Sequence, residues 1–350
     1  MCAAPCVRVL LLADTHLGFD LPLRPRVQRR RRGPDFFANT ERALEPALRG
    51  EVDLVVHGGD VLYRSKVRAQ LVQQAFEPLL RVADGGVPVV VVPGNHERSA
   101  IPYPLLVAHP RLFLLDRPDT IRLTLNGVRV ALSGFPCVRN GIQGRFSELL
   151  AQTGWQDRGA NVRLLCLHQT VEGARVGPAG YTFRRGPDII RGRDIPPGFA
   201  AVLAGHIHRH QVLTADLSQR PLAAPVLYPG AIERTSSAER DEDKGVLELE
   251  LAPDASTGGR LERWRFRRLP ARPWRDLSVA VNGLGSDVVR SKLRKALSEL
   301  EPDAVVRVRF TGSPAPGSAE AMRAAAVRDL APETMTVELS RPREVSGTSS

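Results

Sequence analysis

The chain has 350 residues, a net charge of +11, a pI near 10.3 and 43% hydrophobic residues, enough for a substantial core and for two domains. Its four cysteines (Cys2, Cys6, Cys137, Cys166) form neither a metal-type pairing nor a disulfide framework, which suits a reducing compartment. The first apolar run is too short for a membrane span and lacks a basic leader, so a removable signal is not expected.

Val7–Leu12 reads as a buried strand, and Asp14 and His16 follow it. Six arginines (Arg24, Arg26, Arg29, Arg30, Arg31, Arg32) come next, and Asp35 to Asn39 enters a helix. Val52–Val56 is a second strand, followed by Gly58-Gly59-Asp60. Val87–Val92 is a third, ended by Pro93 and followed by Gly94-Asn95-His96-Glu97. Val162–Leu167 precedes His168, and Phe199–Ala204 precedes Gly205-His206-Ile207-His208. Near-continuous apolar runs of this length are what a sheet covered on both faces requires. Ligand sites in such sheets collect beyond the carboxyl ends of the strands. Five strand ends, each bearing Asp, Asn or His, are therefore expected to converge.

Each motif alone has an ordinary reading. Asp14 could cap a helix, Asp60 could sit in a turn, and His168 could be a hydrogen-bonded turn residue. Yet five of the eight histidines fall inside the motifs. His57, His109 and His210 lie outside, with His57 placed to support Asp60. Carboxylate, amide oxygen and imidazole suit Mn, Fe or Zn. Two divalent ions roughly 3.5–4 Å apart can clamp the attacking and leaving oxygens of a displacement at phosphorus.

Asp-x-His, Gly-Asp, Gly-Asn-His-Glu, His and Gly-His-x-His, in that order over residues 14–208, resemble the calcineurin-like metallophosphoesterase superfamily. The resemblance implies an α/β fold: a two-sheet β-sandwich flanked by helices. It implies that Asp14, His16, Asp60 and His208 hold one metal, and that Asp60, Asn95, His168 and His206 hold the other. His96 would be the catalytic histidine that is not a ligand. Manganese is the first expectation for both ions.

Four stretches are similar to SbcD-type DNA repair exonucleases. They are Asp14 to Gly18, Arg30 to Ala47, Val92 to Ser99, and Tyr228-Pro229-Gly230-Ala231-Ile232-Glu233-Arg234-Thr235. This implies a two-metal DNA exonuclease with endonuclease activity, cytoplasmic and associated with the nucleoid. Arg29, Arg30, Arg31, Arg98 and Arg234 are expected at substrate phosphate. Where some of these nucleases carry a second histidine, this chain has Tyr63, and no catalytic role is carried onto it. The basic charge supports a polyanionic substrate. The alternatives are a small-molecule phosphodiesterase or phosphatase, and a non-catalytic DNA-binding protein on the same fold.

Gly245–Leu251 and Leu261–Arg267 read as closing strands, joined by a turn-rich loop. A break at Leu269 to Pro273 sets domains at 1–270 (nuclease) and 271–341 (a small α+β capping, DNA-contact domain), with a disordered tail at 342–350. The second domain is expected as strand Leu277–Val281, helix Asp287–Leu300 with Val288, Leu293, Leu297 and Leu300 in its core, strand Val305–Phe310, helix Ser318–Leu330 and strand Met335–Leu339. The resemblance further implies an SbcC-type coiled-coil ATPase partner, although no amphipathic helix follows residue 340. It also implies a homodimer, for which helices at 35–49 and 65–83 could supply the surface.

Overall fold

A computed structural model of the chain describes residues 6–97, 108–156 and 159–340. They group into two units. The larger takes the chain up to Phe19, Gly33–Thr235 and Glu242–Pro270. The smaller takes Asp20–Arg32, Ser236–Asp241 and the chain from Ala271 onward. The arginine-rich segment therefore groups with the smaller unit.

In the larger unit the apolar runs build two six-stranded sheets. The first has the order Arg260–Arg268, Gly245–Ala252, Val7–Leu12, Leu54–His57, Val89–Val91, Leu112–Leu114, and the last four are parallel. The second has the order Gln211–Ala215, Pro221–Tyr228, Ala201–Gly205, Val162–His168, Val128–Gly134, Asp119–Leu125. Its four central strands are parallel and its two edges antiparallel.

Side chains alternate across a strand. Val7, Val9 and Leu11 accordingly pack between the sheets with Val130, Leu132, Leu164, Cys166 and Leu203. Leu10 and Leu12 pack instead with Phe36, Leu44, Val72 and Phe76 of the helices Gly33–Leu48 and Ala69–Asp84. On the far side of the second sheet, Leu165, Leu167, Val202 and Ala204 pack with Ile142, Phe146 and Leu149 of the helix Ile142–Gln152. Both faces of both sheets are thus covered, which explains the unbroken apolar runs. Each fully buried Leu or Val contributes about 1.5–3 kcal/mol. This is the expected sandwich with helices outside.

Some boundaries shift. The third strand shortens to Val89–Val91 between Pro88 and Pro93. The hairpin Asp119–Leu125/Val128–Gly134 escaped the sequence reading, although its turn is Asn126-Gly127 with both φ positive (51° and 79°). That dipeptide between apolar runs is the strongest short hairpin signal.

The smaller unit carries a parallel three-stranded sheet, Trp274–Ala280, Val305–Thr311, Thr336–Leu339. The helix Ser286–Ser298 packs Val289, Leu293 and Leu297 with Val279, Val306, Val308 and Val337. Val288 is not a core residue: it is 54% exposed. Positions 289, 293 and 297 form one row at a spacing of four, and Val288 lies a hundred-degree step off it. The expected helix Ser318–Leu330 is two pieces, a 3-10 turn Ser318–Met322 and a helix Ala324–Asp329. Arg323 between them is extended (ψ 147°) and interrupts the helical hydrogen bonding. The tail 342–350 lies outside the described residues.

Candidate metal centre

All five motifs sit at or just beyond the carboxyl ends of parallel strands, so parallel pairing delivers them to one edge of the sandwich. Asp14, His16, Asp60 and His206 hold positive φ (52°, 45°, 52° and 86°), four of seven such non-glycine residues among those described. Residues with a Cβ adopt this region at a cost, and such outliers cluster where function needs a fixed geometry. Backbone bonds between neighbouring loops hold them there. Asp14 N–H donates to Gly59 O (2.9 Å) and His16 N–H to Asp60 O (3.0 Å). Two glycines make room: a Cβ on Gly94 would strike the Asp60 carboxylate, and one on Gly59 the His168 ring.

Donor atoms of Asp14, His16 and His208 lie within 4.8 Å of one another, as do those of Asp14, Asp60 and His168 and those of His16, Asp60 and His96. His16 Nε2 is 3.0 Å from His208 Nε2. His168 donates through Nδ1–H to Gly58 O (2.7 Å), which turns Nε2 toward Asn95 Oδ1 (3.2 Å) and Asp60 Oδ2 (3.5 Å). His206 donates its backbone N–H to Asp14 Oδ2 (3.1 Å), and its ring packs on His168 with centroids 5.0 Å apart. The structure thus brings together all seven residues named as ligands. His96 is beside them: its Nδ1–H donates to Leu62 O (3.1 Å), and Nε2 stands 3.9 Å from Asp60 Oδ2.

The residues present fit divalent ions. Asp14 and Asp60 are buried carboxylates (0% and 3% exposed) faced mainly by imidazoles. Burial raises the Asp14 pKa. Burial lowers His16 to about 3 with the help of His208, and burial with His168 lowers His206 to about 4. Both rings are therefore neutral with lone pairs available. Burial also works against a proton on His168, but Asp60 overcomes it and pushes the pKa up to about 9. Buried negative charge that draws a proton onto a histidine is charge that a cation would neutralise.

Further residues support the site. Glu97 accepts the backbone N–H of Asp60 (2.9 Å), Leu62 (2.9 Å) and Gly94 (2.7 Å). His57 takes the supporting place suggested by its position. Thr15 Oγ1 donates to Val61 O, so it accepts His57 Nε2–H (3.1 Å), while His57 Nδ1 accepts Gly59 N–H (3.1 Å). Tyr228, fully buried, donates to Gln169 O and accepts Val171 N–H (2.9 Å each). The Tyr-Pro-Gly stretch therefore runs behind the site.

The expected substrate arginines fare differently. Arg234 is 7% exposed, and its guanidinium donates to the Glu242 carbonyl (3.0 and 3.2 Å). Within the smaller unit, Arg29 and Arg31 pair with Asp20 (2.5 and 3.2 Å), and Arg30 donates to Thr334 O. Arg24 and Arg26 are exposed. Arg98 lies outside the described residues. Tyr63 packs its ring under Arg64.

A cavity of about 560 Å³ opens beside Asn95 and His206, walled by Gln169, Arg139, Tyr181 and Phe183. Tyr181 is 63% exposed and meets Phe183 edge-on at 5.3 Å; Arg139 donates to Asn95 O (2.6 Å). No motif of the sequence singles these residues out: Tyr181 is on the two-residue strand Tyr181–Thr182, and Arg139, Gln169 and Phe183 lie outside any strand. An aromatic pair followed by Arg184-Arg185 was the available signal.

Residues 7–210 match the calcineurin-like phosphoesterase family model, and the chain belongs to that family. It is similar to the DNA double-strand break repair protein Mre11 of Haloferax volcanii, 31% identical over 93% of this chain and 65% of that protein. The Mre11 protein of Aeropyrum pernix is 24% identical over 84% of this chain and 69% of its own length. The chain thus spans about two thirds of these relatives, and only 52% of the Methanopyrus kandleri protein of that name. A dimetal phosphatase structure from Danio rerio aligns with 71% of this chain and 96% of its own at 15% identity, with a TM-score of 0.42. No helix among the described residues is long and apolar enough to cross a membrane.

Proposed function

We propose that this protein is a two-metal-dependent nuclease that hydrolyses DNA phosphodiester bonds, with exonuclease and endonuclease activity in DNA repair. The observation that carries the reading is the cavity beside Asn95 and His206. Its wall offers Tyr181 and Phe183 to a base and the Arg139 cation to a phosphate. Aromatic faces beside cationic groups suit nucleic-acid strands. The Mre11 relatives are named for DNA double-strand break repair.

Asp14, His16, Asp60 and His208 would hold one ion, and Asp60, Asn95, His168 and His206 the other; manganese suits this donor set. Such a pair, when bound, supplies Lewis acidity and a nucleophilic oxygen at neutral pH. The protein's own residues do the rest. Glu97 and His57 fix the loops that present the carboxylates. As the imidazolium, His96 would keep its Nδ1–H on Leu62 O and donate Nε2–H to the leaving oxygen. A coiled-coil ATPase of the SbcC type and a second copy of the chain are proposed partners, and residues 271–341 a proposed capping domain that contacts DNA.

The test is cleavage of end-labelled duplex DNA with Mn, Mg or no added metal, beside Tyr181→Ala. Mn-dependent shortening, weakened in the variant, is expected. No cleavage of DNA, together with hydrolysis of an aryl phosphoester at equal rates in both proteins, would overturn the nuclease reading in favour of a small-molecule phosphodiesterase.

A further inference from the structure

We infer that Lys244 is a positioning residue for the metal centre: its buried ammonium fixes the His208 peptide and so the spacing between the two halves of the site. The inference rests on the metal-centre reading above.

Lysine is almost never fully buried unless paired, and the Lys244 side chain is 0% exposed. Its Nζ donates to Glu242 Oε2 (3.0 Å) and to the His208 carbonyl (2.9 Å). The other carboxylate oxygen of Glu242 accepts Arg209 Nε (3.0 Å), and Arg209 donates onward to Gly177 O (2.7 Å). Arg209 sits between His208 and His210, so the same carboxylate holds the loop through its side chain and, by way of Lys244, through its backbone. The His208 carbonyl also accepts Ala231 N–H (3.0 Å). On the remaining side, a Cβ added to Gly230 would lie 2.7 Å from His208 O and 2.7 Å from His210 N.

The direction of this strut gives it meaning. Lys244 immediately precedes the strand Gly245–Ala252 of the first sheet, whereas His206 and His208 follow the strand Ala201–Gly205 of the second. Asp14, His16 and Asp60 come from the first sheet. The 3.0 Å approach of His16 to His208 therefore spans the two sheets, and Lys244 is a polar link that spans them beside it. A buried ion pair is weak evidence for stability, since apolar replacements are often as stable. What such a pair supplies is a defined direction, here toward one peptide oxygen.

The experiment is titration of the full chain with Mn(II) alone, followed by calorimetry and by the electron spin resonance of free Mn(II), on the parent, Lys244→Met, Gly230→Ala and Leu132→Ala. Leu132 is buried between the sheets away from the loop and controls for lost stability. The parent is expected to bind two ions. Lys244→Met and Gly230→Ala should each weaken one of them by about tenfold or more, the scale of effects from groups that orient ligands, while Leu132→Ala keeps both. Gly230→Ala moves the same peptide without removing a charge, so it decides the matter if Lys244→Met fails to fold. Parent-like binding in the folded variants, or equal weakening in Leu132→Ala, would overturn the positioning role and leave the metal centre standing. A parent that binds no Mn(II) would overturn the metal-centre reading and this inference together.

Discussion

Glu97 accepts the backbone N–H of Asp60 at 2.9 Å, so the last residue of the Gly-Asn-His-Glu motif sets the conformation of the carboxylate that ends the Gly-Asp motif. The same Glu97 oxygen accepts Gly94 N–H, and its partner oxygen accepts Leu62 N–H. Burial, reinforced by Asp60, pushes the Glu97 pKa up to about 8. The residue thus supports the site from behind rather than facing substrate. Removing it as Glu97→Ala leaves three buried donors without an acceptor, each costing about 1–3 kcal/mol. We expect a loss of roughly 3 kcal/mol or more in urea unfolding together with weakened Mn(II) binding. An unchanged urea midpoint would contradict this.

Asp60 has donor atoms grouped with His16, His96, Asp14 and His168, so one substitution reaches both proposed metal positions. Asp60→Ala should empty both. Gly94→Ala should do nearly the same indirectly, because its new Cβ meets the Asp60 carboxylate. Metal analysis after gel filtration checks this, and full occupancy in Asp60→Ala would contradict the bridging assignment.

His96 belongs to a different category, since its Nδ1–H is committed to Leu62 O and its ring is 29% exposed at the rim of the cluster. His96→Ala should retain metal binding and DNA affinity while turnover falls by about a hundredfold or more, as for loss of a general acid. A KM rise with kcat intact would assign His96 to binding instead.

Asp20 gives the smaller unit a pH dependence. Partial burial opposes ionisation of its carboxyl, but hydrogen bonds from Arg29, the Arg32 N–H and Arg31 outweigh this and hold its pKa below the usual carboxylate value. A depressed carboxylate contributes stability above its unfolded pKa and loses it as pH falls through the folded one. The Arg32 amide, which donates to Asp20 Oδ2 (2.9 Å), should therefore stay protected from hydrogen exchange at pH 5 and lose that protection below about pH 4, after correction for intrinsic rates. Asp20→Asn should lower that protection at pH 5 already. Equal protection of parent and variant at that pH would remove Asp20 as the anchor.

What the sequence determined by itself was local in origin. Apolar runs such as Val7–Leu12 and Val162–His168 mark strands covered on both faces, and the polar residues after them mark loops at the carboxyl ends. Parallel pairing then brings Asp14, Asp60, Asn95, His168 and His206 to one edge, so the convergence of these candidate ligands was legible before any distance was known. Only the tertiary structure decided what the basic residues contact. Arg234 and Arg29 are both arginines in polar surroundings, yet the first donates to the Glu242 carbonyl and the second pairs with Asp20. It also decided that Val289 rather than Val288 faces the core, a choice made by the rotation of one helix against its sheet. The roles of Lys244, Tyr181 and Phe183 belong there too. No local pattern announces Lys244, because its meaning lies in a contact between segments far apart in the chain: it reaches a peptide 36 residues earlier, as His16 meets a ring 192 residues later. Short-range preferences decide what each segment becomes, and long-range packing decides what each side chain faces.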